Sequence, residues 1–535
     1  MFSSRKGRLI GLIVGSMLIA SLVPQSGALA QESPQELVVG VGAAAGMSTD
    51  FTVDPYESPA MNVLASLLYD PLVIVDRNGV APALATSWDI SADGKAWTFH
   101  LRKGVKFHDG SEFDAQAAKF SINKAETKTR GMMSAMGGEA RYAPQIESVD
   151  IVDKYTIAVH LERPCGAFVE NLSMSYLILS PQSYSPEGRF AKPIGTGPFI
   201  LSSYSKRRVE LLPFKDCWRG APKLDRVVIR LIPDPQALAM ALEAGELDMV
   251  AGGGGGMSIL YSDVKRLESD PRFRVYSGNS ALLEFIRFNS TRSPFDDIRV
   301  RQAVNYALDR QAIVEAVFEG YGVPCKGPIG YDASIRWTDP TIEGCPYDPT
   351  KARQLLAETG WGDRDRDGIL DKMGKPFTVT LTFSAFYPYE SAMAEMIQYQ
   401  LKQVGIRVKL QQLEMAAYMG SLMGGWYDFA LQPSMGKGEV NPDPYLNMFF
   451  HSKGVFTTMR NRAFDQAFDQ AMTTTDHEQR QQLYYKMQQI IMEEYPVAFL
   501  IHPAEGAVIK REVKGFQMAY AFDILRSLGK VYRQG

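Results

Sequence analysis

Three aspartates in a short polar segment have the spacing of metal ligands. Asp363, Asp365 and Asp367 occupy positions 1, 3 and 5 of a loop with glycine at position 6, which is how a calcium-binding loop begins. Position 12 is Gly374, where such loops place a bidentate glutamate, and Asp371 at position 9 compensates only in part. The segment is therefore either a calcium site or a solvated surface turn, and its role is structural in both cases.

The chain lacks the sequence motifs of common hydrolases, metalloproteases and nucleotide-binding enzymes. It contains no G-x-S-x-G, no H-E-x-x-H and no G-x-G-x-x-G after a predicted strand. The five glycines over 252–256 are not followed by the lysine and hydroxyl residue of a phosphate-binding loop, so they indicate a flexible segment. The scattered histidines form no ligand pair on one predicted helix. These absences disfavour an enzyme and a resident cofactor, while a catalytic triad of residues that meet only in the fold stays open.

The four cysteines, Cys165, Cys217, Cys325 and Cys345, are widely separated in the sequence. An oxidising compartment would allow them to pair. Cys325 and Cys345 flank a segment rich in glycine and proline, so a disulfide that closes this loop is one prediction and buried free thiols are the other. Because no C-x-x-C occurs, a cysteine-based zinc site is not expected.

Strand and helix patterns alternate along the chain, which predicts a mixed α/β architecture. Period-two or buried apolar patterns predict strands at 36–42, 71–75, 96–101, 155–161, 227–232, 378–383, 406–410 and 497–501. Patterns with helical spacing predict helices at 59–69, from Asp114 onward, and at 235–244, 297–320, 391–404 and 477–494.

The first thirty residues have the pattern of a secretory signal peptide. Positive residues between positions 5 and 8 precede an apolar run over 9–23, and Ala28-Leu29-Ala30 supplies a small-residue cleavage pattern. The apolar run is shorter than the roughly 20 residues that span a bilayer, which disfavours a membrane anchor. No cysteine follows before Cys165, so the pattern predicts cleavage after Ala30 and a free periplasmic protein without a lipid anchor.

Length and charge limit the architecture and the partners. A chain of 535 residues exceeds what one hydrophobic core usually organises, so at least two lobes are expected. The formal net charge is −3, and no basic run follows the predicted signal peptide, which excludes nucleic acid as the expected partner.

Several segments together resemble family 5 of the bacterial extracellular solute-binding proteins, which includes oligopeptide, dipeptide and nickel-chelate binders. The segments are LYDPLV at 68–73, ATSW at 85–88, DGKAWTFHLRKGVKFHDG at 93–110, PIGTGPF at 193–199, AGELD at 244–248, VRQAVNYALDR at 300–310 and YDP at 347–349. Each segment is weakly specific alone, but their order and spacing match the family over nearly the whole mature chain.

The resemblance implies an α/β, two-lobed class II periplasmic-binding-protein fold with an extra subdomain in lobe I. Lobe I is expected over 31–279 and 503–535, with the extra subdomain at about 81–192, and lobe II over 280–502. Two crossing strands would join the lobes and let them close on a ligand. The implied partner is an ABC permease in the inner membrane, and the protein is expected to act as a monomer.

Two ligand classes follow from the resemblance. The first is a short peptide or a similar amino-bearing solute, and the alternative is a nickel or metallophore chelate. A third hypothesis, a secreted enzyme on the same scaffold, is disfavoured because no nucleophile or metal motif is recognisable. Aromatic residues make up 11% of the chain, which suits a wall of Tyr and Trp around a small polar ligand.

Asp443 is the main ligand-binding candidate. Its segment, Asn441-Pro442-Asp443-Pro444, resembles the loop in which peptide-binding members place an aspartate against the α-ammonium of the ligand. Pro442 departs from the glycine of many peptide binders and from the aromatic residue of some nickel-chelate binders. Both ligand classes therefore stay open, and so does a turn carboxylate in solvent.

The resemblance also indicates less specific contacts around the same ligand. Trp426 either packs on the ligand or fills the core, and His451 is a candidate for contact with a metal chelate. One of two arginines is expected to hold a ligand carboxylate, because related nickel-chelate binders use an arginine in that region. The remaining candidates are Met435, Tyr445, Arg130 and Arg141.

Overall fold

Capping side chains mark where many of the helices begin. Asp234, Asp309 and Asp476 each accept a hydrogen bond from a backbone N–H in the first turn of the helix that follows. The helices are α1 (Ala65–Leu68), α2 (Ala115–Ala135), α3 (Phe168–Ser175), α4 (Pro235–Glu243), α5 (Tyr261–Glu268), α6 (Ile298–Ala307), α7 (Arg310–Phe318), α8 (Pro349–Glu358), α9 (Glu390–Lys402), α10 (Met415–Gly424), α11 (Asp443–Phe449), α12 (Arg462–Thr473) and α13 (His477–Glu494), with short 3-10 helices at Pro181–Ser183 and Ile524–Lys530.

The strands are mostly short and alternate with these helices. They are β1 (Glu36–Val41), β2 (Asp70–Pro71), β3 (Val73–Asp76), β4 (Gly79–Pro82), β5 (Ala85–Ile90), β6 (Ala96–Leu101), β7 (Ile146–Asp153), β8 (Thr156–Leu161), β9 (Leu177–Ile178), β10 (Phe199–Ser205), β11 (Arg208–Pro213), β12 (Arg226–Leu231), β13 (Met249–Ala251), β14 (Phe273–Asn279), β15 (Glu284–Phe288), β16 (Gly322–Pro324), β17 (Asp371–Lys372), β18 (Lys375–Pro376), β19 (Thr378–Phe383), β20 (Arg407–Gln412), β21 (Phe429–Pro433), β22 (Val497–Lys510), β23 (Val513–Lys514) and β24 (Tyr532–Arg533).

These elements come from a computed structural model of the chain. It describes residues 35–42, 53–56, 64–76, 79–135, 145–252, 256–280, 282–330, 337–384, 386–434, 441–457, 459–518 and 524–534, without the side chains of 128–135. The predicted signal peptide, Arg141 and Met435 lie outside these residues, and so does the side chain of Arg130. No helix in the described part of the chain has both the length and the hydropathy needed to span a lipid bilayer.

The long strand β22 connects the two halves of the main sheet. Its first part, Val497–Ile501, pairs antiparallel with β15, and its second part pairs with β13 and β14. The order of the sheet is β10-β11-β12-β1-β13-β22-β15-β21-β19-β20. The chain between β14 and β15 makes the same passage, so two segments cross from one half of the sheet to the other. This arrangement agrees with the predicted pair of crossing strands.

A separate four-stranded sheet lies within the region predicted as the extra subdomain. Its order is β5-β6-β8-β7, and all its pairings are antiparallel. Alternate residues of β6 and β8 are buried, as the period-two pattern predicts, and the side chain of Asp114 caps α2 beside them. The C-terminal residues Phe516 and Leu528 pack into the same hydrophobic core as β1 and α1. The lobe boundaries themselves stay predictions.

Two resemblance segments that are far apart in the sequence pack against each other. A Cβ atom on Gly195 would lie 1.9 Å from the backbone oxygen of Leu68, and one on Gly197 would lie 2.5 Å from that of Leu67. Between them, the Thr196 hydroxyl donates a hydrogen bond to Asp70 at 2.9 Å. The glycines of the segment 193–199 therefore allow two backbones to approach more closely than a side chain would permit.

One predicted helix is interrupted. The region 297–320 is not one helix but two, α6 and α7, which are separated at Leu308 and Asp309. The Asp309 side chain accepts a hydrogen bond from Ala312 N and so starts a new helix inside an apolar pattern that continues through both. The strand predicted over 497–501 is longer than expected, because its second part pairs with the other half of the sheet.

We expect Gly506→Ala to destabilise the crossing of β22. A Cβ atom at this position would lie 1.9 Å from Tyr276 O on β14, so the pairing of the two strands must shift. The expected loss is about 2–4 kcal/mol in the free energy of unfolding, measured by urea denaturation. Gly278→Ala on β14 is the control, because its Cβ meets nothing closer than Met518 Cε at 3.9 Å. Equal losses for both variants would contradict this account.

Candidate functional site

Asp443 is enclosed at the start of helix α11. Its side chain is wholly buried, and its backbone N–H donates to Asn441 Oδ1 at 3.0 Å. The hydroxyl of Tyr484 donates a hydrogen bond to Asp443 Oδ1, and Arg480 Nη2 lies 3.7 Å from Oδ2. Oδ2 accepts no hydrogen bond. The carboxylate therefore faces protein groups in a place without solvent and keeps one oxygen with unused capacity.

Arg480 links Asp443 to a second buried carboxylate. Its Nη1 lies 3.3 Å from Glu170 Oε1 and donates to the backbone oxygen of Gly166 at 2.5 Å. The guanidinium also stacks over Trp337, with 4.7 Å between its carbon and the ring centroid. We call Asp443, Glu170, Arg480 and Tyr484 the acid network. It contains two carboxylates, one cation and one phenol hydroxyl.

Burial controls the protonation of the acid network. Burial raises the pKa of Asp443 to about 6, and the charge of Arg480 and the hydrogen bond from Tyr484 oppose this rise. A cation or a hydrogen-bond donor that approached Asp443 would favour its ionised form. The network can therefore bind a positive group, but it contains no activated nucleophile.

The acid network joins two distant parts of the chain. Glu170 and Gly166 belong to α3 and the turn before it, whereas Asp443 and Arg480 belong to α11 and α13. Next to them, Asn441 Nδ2 donates to Asn171 Oδ1 at 3.1 Å, and Gly166 N donates to the oxygen of Met472 at 3.1 Å. These contacts fasten residues of the predicted extra subdomain to residues of predicted lobe II.

The other predicted contact residues lie in different surroundings. Tyr445 is buried among Phe285, Phe449 and Phe450, and its hydroxyl has no hydrogen-bond partner. Trp426 is 75% exposed, so it does not fill the core. Its predicted contact with a ligand stays a prediction.

His451 is turned toward helix α12. It is buried, its Nδ1 accepts from Lys453 N at 3.1 Å, and its Nε2 lies 3.7 Å from both Asp465 and Asp469. The imidazole is thus placed beside two carboxylates of α12. Its predicted role toward a metal chelate is not supported by this geometry and stays untested.

Sequence reasoning missed Arg480, Tyr484 and Glu170. A signal for the first two was present, because Arg480 and Tyr484 share the helical stripe of α13 that continues through the buried Met487 and Ile491. An arginine on an otherwise apolar stripe indicates a buried ion pair. Its partners could not be identified in this way, since they lie 310 and 37 residues away in the sequence.

The cysteines are thiols, and the predicted bridge between Cys325 and Cys345 is not formed in this structure. Cys325 Sγ instead lies 3.0 Å from Gly327 O and 3.4 Å from His502 Nε2. Burial raises the pKa of the Cys325 thiol to about 12 and lowers that of His502 to about 4. Both groups are therefore neutral near pH 7, which opposes a thiolate nucleophile at this contact.

The candidate calcium loop is exposed. Carboxylate oxygens of Asp363, Asp365 and Asp367 lie within 4.8 Å of one another, as the spacing predicts. However, Arg407 pairs with Asp367 at 3.2 Å, and Asp371 is held by Arg364 at 2.7 Å. The surrounding arginines compete with a cation for two of the acids, and calcium binding stays a prediction.

We expect Arg480→Met to lower the free energy of unfolding by about 3–5 kcal/mol, because it leaves two buried carboxylates without their cation. Urea denaturation at pH 7.5 measures the loss. Arg299→Met is the matched control: Arg299 pairs with Asp297 at 2.7 Å but is 46% exposed, so its removal should cost less than about 1 kcal/mol. A loss at Arg480 no larger than that at Arg299 would show that the acid network contributes nothing to stability.

Comparison with known proteins places these features in a family. The model of the bacterial extracellular solute-binding proteins, family 5 Middle, matches residues 79–457. Heme-binding protein A of Haemophilus influenzae is 29% identical over 500 residues, which cover 87% of each chain.

Solved structures show the same architecture. NikA from Brucella suis, in complex with Fe(III)-EDTA, has a TM-score of 0.82 at 25% identity and covers 93% of this chain and 100% of its own. DppA from Helicobacter pylori, an ABC transporter-associated periplasmic binding protein in complex with the peptide STSA, has a TM-score of 0.73 at 28% identity, with 94% and 98% covered. The fold is the two-lobed α/β fold of periplasmic binding proteins, and the chain belongs to family 5 of the bacterial extracellular solute-binding proteins.

Proposed function

We propose that the chain is the periplasmic solute-binding component of an ABC importer for short peptides or similar amino-bearing solutes. It is exported by the signal peptide at 1–30, acts as a monomer and does no chemistry on its ligand. It closes lobe I (31–279 and 503–535) and lobe II (280–502) around the ligand and delivers it to a permease in the inner membrane.

The unsatisfied carboxylate oxygen of Asp443 carries this proposal. Oδ2 is buried and accepts no hydrogen bond from the described residues, and it lies 3.7 Å from Arg480, which also pairs with Glu170. A ligand ammonium would satisfy this oxygen through a charge-assisted hydrogen bond. The geometry therefore favours a ligand that brings a positive group.

The same contacts explain how binding favours closure. A ligand shifts a conformational equilibrium only if it binds one state better than the other. The acid network forms only when α3 and the α11–α13 region meet, so a ligand that stabilises it stabilises the closed state. A closed form is also a distinct shape that a permease can recognise.

A metal chelate is the second candidate, because NikA from Brucella suis resembles the fold and was solved with Fe(III)-EDTA. Fe(III)-EDTA carries a negative charge and offers no ammonium group to Oδ2 of Asp443. His451, the predicted chelate ligand, is buried beside Asp465 and Asp469. The described contacts thus favour a peptide.

Native mass spectrometry of the protein purified from its own periplasm separates the two candidates. A mixture of short peptide masses on the folded protein is expected. A metal-bearing mass would show that the ligand is a chelate and not a peptide. Turnover of an added peptide by the purified protein would contradict both.

We expect Asp443→Asn to weaken binding of the tightest dipeptide from a panel by at least about tenfold, because the amide cannot neutralise an ammonium. Calorimetry measures the affinity. Asp216→Asn is the control, since Asp216 is 58% exposed and pairs with Lys106 at the surface. Unchanged affinity in Asp443→Asn would remove this residue from the ligand site.

We also expect dipeptide binding to weaken as the pH falls through about 6. Burial raises the pKa of Asp443 to about 6, so the attracting carboxylate is ionised at pH 7.5 and largely protonated at pH 5. Calorimetry at several pH values gives the profile, and Asp443→Asn should lose the step near pH 6. A step of equal size in the variant would assign the pH dependence to another group.

A further inference from the structure

Two other carboxylates are buried where the halves of the main sheet meet. Glu284 begins strand β15, Glu390 begins helix α9, and both are 0% exposed. The Tyr389 hydroxyl donates to Glu284 Oε1 at 2.9 Å, and the Ser384 hydroxyl donates to Glu390 Oε2 at 3.2 Å. One oxygen of each carboxylate is therefore satisfied by a neutral donor.

The remaining two oxygens have no partner in the part of the chain that the structure describes. Glu284 Oε2 and Glu390 Oε1 accept no hydrogen bond, and neither residue forms an ion pair with any described Lys, Arg or His. Two other buried carboxylates differ: Asp70 pairs with Arg219 at 3.0 Å and Asp248 with Lys510 at 2.9 Å. The pair Glu284 and Glu390 is thus a buried acidic site for which the described residues supply no cation.

Aromatic rings stand around the pair. Tyr387 and Tyr389 stack at 5.3 Å, and Tyr261 lies 6.1 Å from Tyr389 between ring centroids. Tyrosine faces attract cations, and the attraction is stronger when water is excluded. The surroundings therefore suit an organic cation, which combines charge with apolar surface, better than a hydrated metal ion.

The pair lies beside the strands that cross between the halves of the sheet. Tyr261 donates to Ala504 O on β22 at 2.6 Å, and a Cβ on Gly256 would lie 3.4 Å from Tyr389. In a two-lobed fold, the crossing strands lie at the base of the cleft between the lobes. A ligand bound there would be enclosed when the lobes close.

We propose that Glu284 and Glu390 bind a second cationic group of the ligand, an ammonium or guanidinium group, so that the preferred ligands are peptides with a basic side chain. This inference rests on the proposed function and narrows it. The ligand would hold one positive group at the acid network and another at this pair.

Proton exchange gives the site a measurable signature. Burial raises the pKa of Glu390 to about 7 and that of Glu284 well above its usual value, with the charge of Glu390 adding to the latter. A bound cation would favour the ionised forms, so binding should release protons and tighten as the pH rises from 6 to 8. The titratable groups that face the pair from neighbouring elements are Tyr261, Tyr387, Tyr389, Tyr418 and Glu505.

The test compares two dipeptides, Ala-Lys and Ala-norleucine, which differ in one ammonium group. Calorimetry on the full mature protein at pH 7.5 should show Ala-Lys bound about tenfold more tightly. In buffers of different ionisation enthalpy, Ala-Lys should release more protons than Ala-norleucine. Equal affinities and equal proton release would mean that the pair holds only a shared proton, which overturns the inference but leaves the proposed function intact. If neither of these dipeptides nor any other peptide in the panel binds, the inference and the proposed function are both overturned.

Variants on one helix separate this role from folding. Glu390→Gln should abolish the preference for Ala-Lys and retain binding of Ala-norleucine, whereas the exposed Glu395→Gln on the same helix should behave like the wild type. Because the pKa of Glu390 is raised from 4.5 to about 7 in the folded state, its burial costs stability that grows as the pH rises from about 4.5 to about 7 and is complete at pH 8. Glu390→Gln should therefore have a higher Tm than the wild type at pH 8 and an equal Tm at pH 4.5. A retained preference for Ala-Lys in this variant would contradict the inference.

Discussion

The cost of burying charge away from water constrains this structure most strongly. A buried carboxylate costs several kcal/mol unless a cation or hydrogen-bond donors compensate it. Asp70 and Asp248 meet this constraint within the chain, through Arg219 and Lys510. In the acid network, Oδ2 of Asp443 accepts no hydrogen bond from the described residues. Under the proposed function, a ligand ammonium would supply the missing donor.

The placement of these charges matters as much as their number. The acid network joins α3 to α11 and α13, so it forms only when two distant parts of the chain meet. Strand β22 contributes in another way, because it belongs to both halves of the main sheet and limits how they move relative to each other. Under the proposed function, a ligand bound at the acid network would act on a movement between these two halves.

Much of the fold follows from local patterns. The strands at 96–101 and 378–383 and the helix at 477–494 have the predicted bounds, because alternation and capping act within a few residues. The exception at 297–320 is also local, since Asp309 caps a new helix within a continuous apolar pattern. The passage of β22 into the second half of the sheet could not be predicted, because it depends on strands more than 200 residues away.

The sequence by itself determined the family and the alternating α/β elements, and it indicated Asp443 as a candidate, because these depend on residue types and spacing. Only the tertiary structure decided which groups surround Asp443. It brought Glu170 and Arg480 together across 310 positions, and it placed no cation of the described residues beside Glu284 and Glu390. The physical reason is that electrostatic interactions depend on distance and burial in space, which a linear pattern does not contain.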